Sequence, residues 1–130
     1  MSQSSKSTST PIPLLIVGRT RPIALQQSAS LAPHFTYTAI LDQEHYSPSN
    51  VRFSLEILSP TPLGIVVGGG LNVEVQEEVK KLVEELNSGV EEGKRLKLVC
   101  IPVGIREKVG AEGLLKWLKD ELAGEFGVSW

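Results

Sequence analysis

The sequence predicts an α/β fold, a three-layer doubly wound parallel sheet of four to five strands. Three observations point there. The chain has 130 residues, 41% hydrophobic and 22% charged, which suits one domain burying roughly two-thirds of its unfolded surface. Its short apolar runs, Leu-Leu-Ile-Val and Gly-Ile-Val-Val, carry no alternating polar residue. Both of their faces must be covered, as in parallel strands between helix layers. Between these runs lie stretches of helical period.

Taken in order, residues 1–12 are Ser/Thr-rich and read as a disordered tail ahead of a single domain over 13–130. Leu14 to Val17 is the first strand, ending at Gly18. Thr20 can cap a helix over about 21–32, with Pro22 in its first turn, where a missing N–H costs nothing, and Pro33 beyond its end. Phe35 to Leu41 is the second strand, ending at Asp42. Segment 48–58 reads two ways. Val51, Phe53, Leu55 and Ile57 alternate as in a strand, while Ser47-Pro48 starts a helix with Val51, Leu55 and Leu58 on one face. A crossover between parallel strands needs a dozen or more residues, so helix is the assignment.

Leu63 to Val67 is the third strand, followed by Gly68-Gly69-Gly70. Asn72 caps a helix whose apolar stripe is Val75, Val79, Leu82, Val83 and Leu86, with Gly89 just past its end. Leu96 to Ile101 is the fourth strand, ending at Pro102. The last helix puts Ala111, Leu114, Leu115, Leu118 and Leu122 on one face and stops at Gly124. Phe126 to Trp130 offers a short fifth edge strand. Right-handed crossovers then give the order 2-1-3-4-(5), a Rossmann-like or flavodoxin-like arrangement.

Several function classes drop out. No apolar run nears the roughly 18 residues of a membrane span, and the N-terminus has no apolar core of a secretory signal. Cys100 is the single cysteine, so there is no intramolecular disulfide and no cysteine-based zinc site. A cytoplasmic location is the expectation. A net charge of -2 without a basic stripe argues against nucleic acid. A P-loop is absent, and Gly18 and Gly68 stand where a phospho-receiver needs acids.

Ligands of such sheets bind outside the carboxyl ends of the strands, where the strand order reverses. That rule selects Gly18-Arg19-Thr20-Arg21, Asp42 to Ser47, Gly68-Gly69-Gly70-Leu71-Asn72 and Pro102 to Arg106. Three of the five arginines, Arg19, Arg21 and Arg106, fall in these loops. Arginine, close-approaching glycine backbone and helix N-termini together suit an anionic small molecule, above all a phosphate. The other reading is that the glycines only make tight turns. The candidate binding residues are Gly18, Arg19, Thr20, Arg21, Asp42, Gly68, Gly69, Gly70, Asn72 and Arg106. Asp42 enters because dinucleotide sites place an acid about 20 residues past the first glycine. Thr20, however, takes the place of the second glycine of that fingerprint.

Gly18-Arg19-Thr20 with Pro22-Ile23-Ala24 resembles the Gly-Arg-Ser/Thr-x-x-Val-Gly turn of methylenetetrahydrofolate dehydrogenases. The resemblance spans about seven residues and implies an NADP pocket in which Arg19 and Thr20 face the 2′-phosphate and ribose. That family's catalytic lysine and tyrosine region has no counterpart, so the activity does not carry over. The Val-Gly-Arg-Thr-Arg-Pro start and Val-Val-Gly-Gly-Gly turn also resemble small single-domain Rossmann-like proteins of fungi, a likeness that brings no function.

Catalytic side chains are few. His45, beside Asp42, Glu44 and Tyr46, is the candidate general acid or base, against the reading of a solvated loop histidine. Its spacing to Asp42 and Glu44 is a weak metal signal, and no metal is assigned. Cys100 reads as a small hydrophobe inside a strand, and His34 lies at the opposite sheet edge. The expected function is a domain binding a phosphate-bearing ligand, NAD(P) or another nucleotide, with catalysis requiring a homodimer or partner. The alternative is a non-catalytic interaction or dimerisation module built on Trp117, Phe126 and Trp130, unless these aromatics close the core.

Overall fold

The computed structural model describes residues 10–18, 20–70 and 72–130. Its elements run β1 (Ile12–Val17), α1 (Arg21–Leu31), β2 (Phe35–Leu41), α2 (Pro48–Ile57), β3 (Gly64–Val67), α3 (Val73–Asn87), β4 (Lys97–Cys100) and α4 (Ile105–Phe126). The strands form one parallel sheet in the order β2-β1-β3-β4. Of segment 48–58, Pro48–Ile57 is helical, as a crossover requires. No helix among the described residues is long and apolar enough to cross a membrane.

The continuous apolar runs divide by pleat. Leu14 and Ile16 of β1, Val66 of β3 and Val99 of β4 pack under Ala24 and Leu31 of α1 and Leu118 and Leu122 of α4. Leu15 and Val17, with Ile65 and Val67, pack under Val51 of α2 and Val79, Leu82 and Val83 of α3. Successive side chains of a strand point to opposite faces, so one unbroken apolar run supplies both layers. β2 shows the same rule through an irregularity. Leu14 pairs with Tyr37 but Leu15 with Ala39, so Thr38 is the extra residue of a bulge. The slip puts Phe35 and Tyr37 in the α1/α4 layer, and Ala39 and Leu41 in the α2/α3 layer.

Both ends of the chain differ from expectation. β1 begins at Ile12, whose N–H donates to the His34 carbonyl (2.8 Å), so the last residue of the expected tail belongs to the sheet. α4 does not stop at Gly124. It runs through a kink at Gly110 to Phe126 and ends at Gly127, which takes the left-handed conformation that caps helices (φ 67°). The extra turn is held because the Phe126 ring packs on Phe35, with centroids 5.6 Å apart, and over Gly64, where a Cβ would come within 2.9 Å of it. Residues 126–130 form no fifth strand. Beyond Gly127 the chain turns back, the Val128 N–H bonding the Ala123 carbonyl. Trp130 then meets His34 edge-on at 4.8 Å and donates its indole N–H to the Lys119 carbonyl (3.0 Å). The C-terminal aromatics thus cover the end of the sheet where the strands begin.

Candidate functional site

β1 and β3 lie side by side at the centre, and the chain leaves them in opposite directions, to β2 and to β4. Their carboxyl ends therefore form the switch point of the sheet. Hydrogen bonding continues past the strands there. The Gly18 N–H bonds the Leu41 carbonyl (3.0 Å), the Gly68 N–H the Val17 carbonyl (2.8 Å) and the Ile101 N–H the Val67 carbonyl (2.8 Å). This draws the three loops together edge to edge. A Cβ on Gly69 would fall 2.6 Å from the Pro102 carbonyl oxygen, so only glycine fits without a backbone shift. Gln76 of α3 braces the junction, its amide donating to the Ile101 carbonyl (2.7 Å).

A cleft of about 350 Å³ opens above this junction. Ile16, Ala24 and Ile101 form its apolar base, and Gly18 and Gly68 to Gly70 form one wall. Thr20, Ile23 and Gln27 come from the α1 side, and Arg106, Glu107 and Leu114 from α4. Two helices thus begin at the cleft, and among the described residues no side chain caps either. Thr20 makes no capping bond at α1, and Gly104 has no side chain to make one at α4. At α1 Pro22 has no N–H to offer, and at α4 the Ile105 N–H already bonds the Pro102 carbonyl (3.2 Å), but the Arg106 and Glu107 N–H groups have no partner among the described residues, and the positive ends of both helix dipoles lie at the cleft. The charges of Arg106 and Glu107 offset each other, so attraction for an anion rests on these N–H groups together with the guanidinium.

Of the residues singled out from sequence, Gly18, Thr20, Gly68, Gly69, Gly70 and Arg106 line this cleft. Arg19 lies outside the described residues. Arg21, Asp42, His45 and Asn72 are not in the lining. Asn72 has a structural task, its side chain accepting the Val75 N–H (2.9 Å) at the start of α3. Asp42 closes its own turn. Its carboxylate accepts the N–H groups of Glu44 (3.1 Å) and His45 (3.0 Å), and lies 2.6 Å from His45 Nδ1. The bond to the His45 imidazole, reinforced by the backbone N–H groups, holds the Asp42 carboxyl below the ordinary carboxylate range. Ligating atoms of Asp42, Glu44 and His45 lie within 4.8 Å of one another, a closeness these turn contacts already account for.

Among the polar lining residues, the sequence reading missed Glu107, and it missed Gln27. Gln27 was detectable, since Ala24, Gln27, Ser28 and Leu31 share one helical face, and polar residues inside an apolar stripe need partners. Tyr37 supplies them. Its hydroxyl donates to Gln27 Oε1 (2.9 Å) and its backbone N–H to Ser28 Oγ (3.1 Å). Burial pushes the Tyr37 phenol up, keeping it a donor. Burial likewise pushes the Cys100 thiol up, away from reactivity, as befits a strand residue packed against the α2/α3 layer. Compared with protein-family models, curated proteins and solved structures, the chain matches none.

Proposed function

We propose that this protein binds a small phosphate-bearing molecule in the cleft at the carboxyl ends of β1 and β3. One observation carries the reading. Gly18, Thr20, the Gly68 to Gly70 turn and Arg106 converge where two helices start without side-chain caps. Backbone N–H groups at helix starts bind phosphate oxygens, and a guanidinium adds charge-assisted bonds. NADP and other nucleotides head the ligands to be tried, because the turn after β1 resembles an NADP-binding turn. The acid of the dinucleotide logic, Asp42, is engaged with His45 outside the cleft, so ribose recognition falls to other groups. The cleft's own acid–base side chain is Glu107; His45 is not part of it. Binding is therefore the core of the reading, with any reaction dependent on a second copy or a partner. The interaction-module alternative has weaker support, since Phe126 and Trp130 are engaged on Phe35 and His34.

The test is a thermal-shift panel of NADP, NAD, FMN, ATP, coenzyme A and sugar phosphates. A ligand at about 100 times its dissociation constant stabilises by about 2.7 kcal/mol. For the ligand found, Arg106→Ala should weaken binding about tenfold with an unchanged melt. Glu107→Gln should strengthen it by removing a like charge. Arg52→Ala is the control, because Arg52 pairs with Glu85 across α2 and α3. A panel without any shift overturns the proposal.

A further inference from the structure

The cleft does not end at the phosphate-binding turns. A groove of about 140 Å³ lies beside it between α1 and α4. Ile23, Gln27, Arg106 and Leu114 line both hollows, so the two are neighbours that share one wall. The groove adds Ala111 and Leu115 on the α4 side and Gln26 and Ser30 on the α1 side. The cleft alone reaches the lower end of the roughly 300–1,000 Å³ typical of small-molecule pockets. A bare phosphate, held by N–H groups at the glycine turns, would leave the apolar wall of Ile23 and Leu114 in water. The ligand that fills this shape has a body beyond its phosphate.

Gln27 decides what kind of body. Its carbonyl oxygen is taken by the Tyr37 hydroxyl at 2.9 Å. The amide N–H2 has no partner among the described residues, and Gln27 lines both hollows. An alkyl chain laid there would strip water from that donor and give nothing back. A heteroaromatic base offers both what the walls lack and what the donor needs. Its faces lie against Ile23, Leu114 and Leu115, and its ring nitrogens or carbonyls accept from Gln27.

We infer, resting on the phosphate-binding reading above, that the ligand is a nucleoside 5′-phosphate whose base occupies the α1–α4 groove and is read by the Gln27 amide. Gln27 is then a specificity-determining residue, and Ala111 marks the far wall of the base subsite.

The experiment is isothermal titration of the full chain with the four common ribonucleoside 5′-monophosphates and with ribose 5-phosphate. At least one nucleotide should bind tenfold or more tightly than ribose 5-phosphate. Gln27→Leu should reduce that nucleotide to the affinity of ribose 5-phosphate while leaving ribose 5-phosphate unchanged. Ala111→Trp, which fills the groove without touching the Tyr37 bond, should do the same. Retained ribose 5-phosphate binding shows that each variant keeps a folded site, and Ala111→Trp carries the test alone if Gln27→Leu does not fold. Nucleotides binding no better than ribose 5-phosphate would overturn the base assignment and leave the phosphate site standing. A nucleotide preference that survives in Ala111→Trp would overturn it too, by placing the base elsewhere. If neither nucleotides nor ribose 5-phosphate bind the wild-type chain, the phosphate reading falls and this inference with it.

Discussion

The four helices start in two different ways, and the difference follows the two faces of the sheet. On one face, α2 and α3 are closed by their own side chains. Ser47 accepts the Asn50 N–H (3.0 Å) and Asn72 accepts the Val75 N–H (2.9 Å). Tyr46 and Arg52 then tie this layer together through Glu78 and Glu85 of α3. On the other face, α1 and α4 begin at Thr20 and Gly104 with no side-chain cap, and both beginnings border the cleft. A cap is worth about 1 kcal/mol to a helix. The α2/α3 face uses that stabilisation, and the starts of α1 and α4 do without it.

The contrast lies at the helix starts, not in the cores, and the largest predicted effects test that. Val79 of α3 and Leu118 of α4 are both fully buried. Val79→Asp and Leu118→Asp should each cost several kcal/mol, a large share of a small domain's stability, and be visible as unfolding in denaturant titrations. Lys80→Asp, on the exposed side of α3, should stay within about 0.5 kcal/mol of wild type. Tolerance of Leu118→Asp would mean that the α1/α4 layer is loosely packed and gives the cleft no fixed wall.

Next in size is Gly69→Ala. Its new methyl would meet the Pro102 carbonyl at 2.6 Å, so the loop after β3 or the one after β4 must move. Overpacking of this kind costs about 1–3 kcal/mol, and the displaced turn should lose phosphate affinity as well. Gly93→Ala has nothing within 4 Å of the added Cβ and should be nearly silent. Equal effects at the two glycines would deny the close approach on which the cleft depends.

The caps give a smaller and more pointed test. Ser47→Ala and Asn72→Ala should each lose about 1 kcal/mol in chemical denaturation, while Thr20→Ala should lose less than about 0.5. A Thr20→Ala loss as large as the other two would erase the distinction between the faces.

What could be read in advance also divides by region. The strands, their order and α3 were legible, because Leu14 to Val17 and Gly64 to Val67 are unbroken apolar runs and Val75 to Leu86 is a helical stripe, whereas 48–58 read two ways and only the length a parallel crossover needs made it α2. The convergence of Gly18, Gly68 to Gly70 and Arg106 followed from topology alone. Asp42 lies outside the cleft lining, and spacing along the chain does not reveal that a carboxylate is bonded within its own turn. Gln27 went unnoticed because one polar residue on a helix looks solvent-facing until its partner, Tyr37, is known to lie beneath it. The end of α4 depended on Phe126 reaching Phe35, a contact between residues some 90 positions apart that no local signal at Gly124 could report.

The smallest effect concerns Asp42 and separates turn-making from ligand binding. Its carboxyl titrates below the ordinary value of about 3.9 because the folded turn supplies His45 and the backbone N–H groups of Glu44 and His45. A group with a depressed folded pKa stabilises fully above its unfolded value, and the contribution fades as pH falls through the lower folded value. Asp42 should therefore add a shallow acid sensitivity confined to pH below about 4, and Asp42→Asn should flatten it without altering stability trends nearer neutrality. Because Asp42 is absent from the cleft lining, Asp42→Asn should also leave nucleotide affinity unchanged at neutral pH. A nucleotide affinity that fell with Asp42→Asn would return this residue to the ribose and move the ligand toward β2.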